Sequence, residues 1–426
     1  MVSMGVLVVF LGTLVVGIPI AFSLYFTSLV MLISMKIPAM IMVQRVIGGI
    51  EKYPLLCVPF FILAGSMMSA GGITQRLIHF SNLLVGRFRG ALGLINVLTS
   101  MFFAGISGSA VADATSLGSI LIPAMKKEGY DPDFSAAITA SSAVCGPIIP
   151  PSIPMVILGI VCSMPIGRLF LAGAFPGILL GLSLLLGAYI AAVRNNYPKH
   201  DPAPIKDIVK GLRQSASALA MPFIVVGGIA SGAVTDAELG VLAALYALIV
   251  GVFFHRELTV KKISECLKDT VLSTGIVLFI LGTASLFSWL LAVSGIPQVI
   301  VKSIFALTDN PVLIILLIIL LLLAIGTIMD GVAAILLLAP ILLPMSSRIG
   351  MDPLHFGVMI VFALMLGLLT PPIGITLIIS AKFAQISLLR ATKAVLPYFA
   401  IGVIVLLIIA FCPWFSLYLP NLVFGH

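Results

Sequence analysis

The sequence is poor in the groups that soluble catalysts rely on. Charged residues make up 9% of the 426, and no long polar segment interrupts the chain to suggest a soluble domain. Its five cysteines, Cys57, Cys145, Cys162, Cys266 and Cys412, form no CxxC pair and keep no metal-ligand spacing with histidine. They read as isolated residues of apolar helices, so neither a disulfide framework nor a zinc centre is expected. No Walker A sequence is present, so no ATP site is visible, and no HExxH or Ser–His pairing points to hydrolysis. The first apolar run, Val6 to Ser34, lacks a basic leader and is too long for a signal-peptide core. It reads as a retained span bent at Gly17-Ile18-Pro19. The net charge of +8 does not suggest nucleic acid as a partner; in so apolar a chain its distribution matters more than its sum.

What the chain has in abundance is hydrocarbon. It is 61% hydrophobic, with a mean hydropathy of +1.26, and apolar runs recur from end to end. That is an all-α polytopic membrane protein in a lipid bilayer, because only helices can pair their own backbone there.

It also repeats itself. Residues 105–151 align without a gap on 326–372 at an offset of 221, with thirteen identities in 47 positions. Roughly four would arise by chance in segments of this composition. The matches include Gly105/Gly326, Pro123/Pro344, the G-x-D-P of Gly129 and Gly350, Gly146/Gly367 and Pro150-Pro151/Pro371-Pro372. Glycine, proline and aspartate set backbone geometry, so two copies of one backbone device point to a transporter built from internal repeats.

Charge gives the topology. The linker Arg194 to Arg213 holds five basic residues, and His255 to Asp269 holds Arg256, Lys261, Lys262 and Lys268, so both are expected in the cytoplasm. Working outward places 17 Lys and Arg inside and 6 outside (Lys36, Arg45, Lys52, Arg168, Lys302, Arg348). This puts the N-terminus in the cytoplasm and the C-terminus outside. The segments Thr74 to Arg89 and His255 to Asp269 read as amphipathic helices at the interface, or as plain connecting loops.

Between Arg89 and Lys126 lie 36 residues with a single charge. One straight helix of that length would run about 54 Å, against a hydrocarbon core of about 30 Å. Both ends are basic and the middle holds Gly105-Ile-Ser-Gly-Ser109, so a re-entrant hairpin is expected over 91–124. Its counterpart over 310–347 breaks at Gly326 to Gly331 and enters from the opposite face, which makes an inverted repeat. Each hairpin is followed by a helix broken at prolines, over 134–164 and 355–387. The expected organisation is 1–90 scaffold and interfacial arm, 91–165 first transport repeat, 166–308 scaffold with linkers 194–216 and 255–270, 309–390 second transport repeat, and 391–426 a C-terminal scaffold helix.

Of the 15 acidic residues, only Asp113 and Asp330 fall near the hairpin tips, away from loops and interfaces. A carboxylate at the bilayer centre costs roughly 2.5–3.5 kcal/mol, so each is a functional candidate, with helix capping as a compatible structural role. Ser107, Ser109, Thr115, Ser116 and Ser119 surround the first tip; Thr139, Ser141 and Ser142 precede the first proline break. Hydroxyls in membrane helices commonly bond back to their own helix, but at a tip they are available to a ligand. Proline frees carbonyls one turn earlier, and half-helix N-termini favour an anionic group. Each tip with its break can therefore form one Na+ site, two flanking one substrate site. The candidates are Ser107, Ser109, Asp113 and Asp330 for substrate. For Na+ they are Gly105, Ser107, Gly146, Ile149 and Pro150 in repeat one, and Gly326, Met329, Thr370 and Pro371 in repeat two. An aspartyl intramembrane protease built on Asp113 and Asp330 is a distant alternative, since the repeats do not require that chemistry.

The segments Gly17-Ile-Pro-Ile-Ala-Phe22, Pro59-Phe-Phe-Ile-Leu-Ala-Gly65, Gly105-Ile-Ser-Gly-Ser-Ala through Asp113 to Pro123, Gly129-Tyr-Asp-Pro132, Gly146-Pro-Ile-Ile-Pro-Pro-Ser152 and Thr370-Pro-Pro-Ile-Gly374 together resemble the large membrane subunit of tripartite ATP-independent periplasmic (TRAP) transporters. The resemblance covers essentially the whole chain. It implies an elevator-type transporter of the ion-transporter kind in a bacterial inner membrane, importing an organic acid such as sialic acid, a C4-dicarboxylate, a keto acid or a sugar acid with Na+. It implies two partners, a small four-helix membrane subunit and a periplasmic binding protein, and roles for Ser107, Ser109, Asp113 and Asp330 in substrate or ion handling. Some relatives carry the small subunit fused at the N-terminus; here it is expected on a separate chain. A stand-alone carrier or exchanger of the same architecture, and a membrane scaffold or channel without coupled transport, are the alternative readings.

Overall fold

In a computed structural model the chain is described over residues 8–10, 12–13, 16–296, 299, 302, 305–306, 308–370 and 374–425. The described residues form helices and connecting turns, with no strand among them. Seven helices are long and apolar enough to cross a membrane, as the hydropathy requires.

One group of helices comprises α1 (Ile20–Ser34), α2 (Met40–Ile50), α3 (Cys57–Ala70), α4 (Ile73–Val85), α10 (Ile205–Ala230), α11 (Asp236–Ile249) and α12 (Val260–Ser294). Here α12 packs on α1, α2 and α3, and α11 lies along α3. Glycines allow close approach: a Cβ on Gly240 of α11 would sit 2.5 Å from the Cys57 carbonyl of α3.

The second group carries the repeats. In repeat one, α5 (Ala91–Ser107) and α6 (Ala110–Lys127) form the first hairpin, and α7 (Pro132–Ala143) and α8 (Ile153–Cys162) form a helix interrupted over 144–152. In repeat two, α13 (Pro311–Ile328) and α14 (Gly331–Leu342) are the hairpin, and α15 (Pro353–Gly367) and α16 (Ile375–Ala384) the interrupted helix. The repeats interlock, with α16 against α6 and α7, and α8 against α14. The second hairpin is splayed, and α13 lies chiefly along α15. Helices α9 (Ile166–Arg194), α17 (Leu388–Phe411) and α18 (Trp414–Phe424) complete the described chain. Among other neighbours, α17 packs on α7 and α15, and α9 on α5.

The two G-x-D-P turns diverge in detail. Gly129 and Gly350 both have positive φ, at 85° and 70°, and both prolines start a helix. Asp352 caps its helix by accepting from Leu354 N at 2.8 Å and His355 N at 3.2 Å. Asp131 does not cap; its carboxylate accepts from the Tyr197 hydroxyl at 2.7 Å instead.

Two boundaries differ from the sequence expectation. Helix α12 starts at Val260 and runs 35 residues without a break, so most of the segment 255–270 is the first turns of a spanning helix. Likewise α10 is continuous from Ile205 through the expected linker end at 216. The charged turns at these starts are good helix formers, and nothing in composition marks where the hydrocarbon begins. The expected arm over Thr74 to Arg89 is a helix to Val85, and α4 packs on both α5 and α10.

Several basic residues make fixed contacts in the structure. At one end Arg76 pairs with Glu257 (2.6 Å), Arg390 with Asp133 (3.0 Å), and Lys126 bonds to the Ala384 carbonyl (3.0 Å). At the other, Lys52 bonds to the Ile160 carbonyl at 3.2 Å and Arg45 lies over the Trp289 ring.

Candidate functional site

The first tip turns at Gly108, whose φ of +59° suits glycine. A Cβ there would lie 2.7 Å from the Pro151 carbonyl oxygen and 3.2 Å from Ile153 N. The absent side chain is what lets the hairpin sit on the start of α8. Ser109 caps α6, accepting from Ala112 N at 3.4 Å. The Ser107 hydroxyl donates to Asp113 Oδ1 and accepts from Ser109 N at 3.3 Å.

Asp113 is fully buried and its Oδ2 has no hydrogen-bond partner. That oxygen points at the proline-interrupted segment, where a Cβ on Gly146 would come within 2.5 Å of it. Ser107, Asp113 and Gly146 therefore meet, as tip and break of repeat one. Behind them, Pro147 O accepts from Ser152 Oγ, which also caps α8 through Met155 N at 3.2 Å. The Pro150–Pro151 bond is cis. Gly105 faces elsewhere: its missing Cβ makes room for Pro222 of α10. Of Ile149, the structure shows its N–H bonded to the Cys145 carbonyl at 3.0 Å.

Repeat two solves the same problem with different residues. Asp330 occupies the position of Ser109 and does the same work, capping α14 through Val332 N at 3.0 Å. Met329, before it, is extended and buried. Gly326 and Gly367 meet with no side chain between them; a Cβ on Gly367 would lie 2.6 Å from the Gly326 Cα. Thr370 bonds back to Leu366 O at 3.2 Å, and its carbonyl accepts from Gly374 N at 3.1 Å. Pro371 lies outside the described residues.

A cavity of about 830 Å³ joins the two tips. Ser107, Ser109 and Asp330 line it; Asp113 does not, and is buried behind Ser107, to which it is hydrogen-bonded. Three half-helix starts reach it, Ala110 to Ala112 of α6, Ile153 of α8 and Gly331-Val332 of α14. Helix N-termini carry partial positive charge and unpaired N–H groups, so their convergence suits an anion. The opposite wall comes from α3 (Ser66, Ser69) and from the charged first turns of α12.

The other tip hydroxyls divide as helical chemistry dictates. Thr115 bonds to Val111 O and Ser119 to Ser116 O, both within α6, while Ser116 lines the cavity. Thr139 and Ser142 belong to a buried network that the sequence reading did not find, centred on Asn96. Its amide donates to Thr139 Oγ1 at 2.6 Å, and its carbonyl accepts from Ser142 Oγ at 3.1 Å. Ser100 adds a bond to Ser142 at 2.9 Å. A lone Asn in an apolar run was the available signal.

Comparison with known proteins gives the family. Residues 7–415 match the family model of the tripartite ATP-independent periplasmic transporter, DctM component. The chain is 39% identical to a sialic acid TRAP transporter large permease protein of Vibrio cholerae, over 98% of each chain. It is 34% identical to a 2,3-diketo-L-gulonate TRAP transporter large permease protein of Escherichia coli, over 95% of each. A C4-dicarboxylate TRAP transporter large permease protein of Rhodobacter capsulatus is 33% identical over 98% of this chain and 99% of its own. In fold it is similar to the YdaH transporter of Alcanivorax borkumensis, with a TM-score of 0.63 at 16% identity over 88% of both chains. These relatives are transporter permeases, not enzymes.

Proposed function

Since this chain belongs to the DctM component family of tripartite ATP-independent periplasmic transporters, we propose that it carries an organic acid into the cell together with Na+, receiving the acid from a periplasmic binding protein and working with a small membrane subunit. The observation that carries this reading is the convergence of three half-helix N-termini from both repeats on one cavity. Such a pocket binds a carboxylate without a basic side chain at the tips. The relatives' cargoes, sialic acid, 2,3-diketo-L-gulonate and C4-dicarboxylates, are all organic anions.

Na+ fits the space between tip and break. In repeat one, Asp113 Oδ2 is a buried carboxyl oxygen with no hydrogen-bond partner among the described residues, and Ser107 with the backbone around Gly146, Ile149 and Pro150 would supply further oxygens. In this reading Asp113 serves the ion, and Ser107, Ser109 and Asp330 serve the substrate. Gly326, Met329, Thr370 and Pro371 are the corresponding set in repeat two. Two Na+ entering with a monoanion would move one net positive charge inward, worth about 2.3 kcal/mol per 100 mV.

The interlocked repeats move as one body against α1–α3 and α10–α12; α9 and α17, expected in the scaffold, pack on α5, α7 and α15 and are assigned here to the moving body instead. Among the described residues, polar contacts between the repeats and the expected scaffold include Lys52 to the Ile160 carbonyl, Ser288 Oγ to the Leu336 carbonyl at 3.3 Å, and Thr99 Oγ1 to Ser81 Oγ of α4 at 2.9 Å. The end that holds Arg76, Lys126 and Arg390 is taken as cytoplasmic by the excess of basic residues. The cavity reaches Lys262 at that end, so this state opens inward.

The test is uptake of labelled sialate, succinate and 2,3-diketo-L-gulonate into proteoliposomes holding the chain and its small partner. Each is run with and without an inward Na+ gradient and the binding protein. Uptake that needs both is expected. Na+-dependent uptake indifferent to the binding protein would mean a stand-alone carrier, and no uptake of any organic acid would refute the reading.

A further inference from the structure

One wall of the cavity is not built by the tips. Along α12, Lys262, Glu265, Asp269, Ser273 and Ile276 follow at three- and four-residue intervals, and all line it. That spacing puts them on one helix face. From Lys262 to Ile276 the stripe spans about 21 Å, polar at its outer end and apolar towards the tips. Ser66 and Ser69 of α3, three residues apart, also line the cavity.

The charges along this stripe are uneven. Among the residues lining the cavity, Glu265, Asp269 and Asp330 are acidic and Lys262 is the one cation. Lys262 Nζ donates to the carbonyl of Ala70, the last residue of α3, at 3.0 Å. An ammonium has three donors, so this bond leaves others free. With Ser69 and Ala70, Lys262 also lines a second cavity of about 410 Å³ that holds Arg76 and His79. It stands where the two spaces meet.

We infer that Lys262 is a transient binding point for the carboxylate of the transported anion as it leaves the tip cavity. This rests on the function and orientation proposed above. An anion leaving the helix N-termini meets Glu265 and Asp269, which repel it. A fixed cation one turn beyond Glu265 lowers that barrier and draws the carboxylate outward. Binding to one partly exposed, hydrated ammonium is weak, so the acid is handed on rather than retained.

Counterflow tests this. Proteoliposomes are loaded with graded unlabelled sialate, or succinate if the parent chain carries that acid instead. Labelled acid is supplied outside with the binding protein, which engages only carriers oriented towards it. The luminal acid then reads the Lys262 side. Lys262→Gln keeps a donor for the Ala70 carbonyl but loses the charge, and is expected to raise the luminal half-saturation about five-fold. Lys262→Arg is expected to stay within about two-fold of the parent. Glu265→Gln removes the neighbouring repulsion and is expected to lower the same constant. An unchanged constant in Lys262→Gln, equal loss in the Gln and Arg variants, or a raised constant in Glu265→Gln each overturns the inference. If Lys262→Gln does not fold, the Glu265→Gln result decides. A parent chain without counterflow would instead sink the transport reading.

Discussion

In the proposed function, Asp113 is the residue on which the ion chemistry would turn. Its carboxyl group is buried with one oxygen bonded to Ser107 and the other without a hydrogen-bond partner among the described residues, a costly arrangement for the ionised form unless a cation shares the site or a proton neutralises it. Ser107→Ala removes the hydroxyl from both the carboxylate and the proposed ion, and the half-saturating Na+ for uptake is expected to rise about ten-fold. Na+ titration of uptake in proteoliposomes checks this, and an unchanged titration would detach Ser107 from the ion. Asn96 plays a different part, joining α5 to α7 inside repeat one. Asn96→Ala removes its bonds to Thr139 and Ser142, which keep bonds to the Ser135 carbonyl and to Ser100, and is expected to cost about 1 kcal/mol, seen as a lower melting temperature with Na+ affinity preserved. The sequence marked Asp113 and Asp330 by their isolation in apolar runs. That isolation alone did not separate their roles: in the structure Asp330 caps α14 as its repeat counterpart Ser109 caps α6, while Asp113, opposite Ala334 in the repeat alignment, is buried against Ser107 and Gly146.

Among elements, the two G-x-D-P turns look alike in sequence yet hold their helices differently. Asp352→Ala is expected to lose about 1 kcal/mol of stability through the cap. Asp131→Ala should be mimicked by Tyr197→Phe, since the contact it loses is that hydroxyl; thermal melts of the three variants compare them. The end of α11 carries a pH-sensitive contact. His255 Nε2 lies 2.9 Å from Ser217 Oγ, and burial, with Arg76 nearby, holds its pKa below the usual value. Below about pH 6.5 the unfolded chain takes up a proton that the folded one resists. Stability present above that pH is therefore lost as pH falls further. Lowering the pH from about 7.5 to 5.5 is expected to reduce the melting temperature, and His255→Gln to flatten that dependence. Helix existence was legible from apolar runs and prolines. The starts of α10 and α12 were not, because their charged first turns read as linkers although those residues form helix well, and in the structure they continue into helices packed on α4 and α3.

For the whole molecule, the consequence is relative motion. If the repeats slide against α12, then cysteines placed at Ser288 and Leu336, whose contact bridges the bodies, should stop uptake when joined by a short bifunctional reagent. Cleavage of the link should restore it; uptake persisting in the linked protein would exclude sliding at this contact. The inverted pair of hairpins was visible as a gapless repeat because backbone devices resist substitution. Their interlock, α16 on α6 and α7 with α8 on α14, was not, since contact between repeats leaves no periodic mark in either.

The convergence of helix starts on the cavity has a bearing on how such carriers change trade. A pocket that reads charge with main-chain amides stores little record of the rest of its passenger. New cargo can then be adopted by altering the few side chains around it, or the delivering protein, while the hairpins stay as they are. A small anionic inhibitor aimed at those amides would meet a target that point mutation can hardly rewrite, because the groups it grips belong to every amino acid except proline.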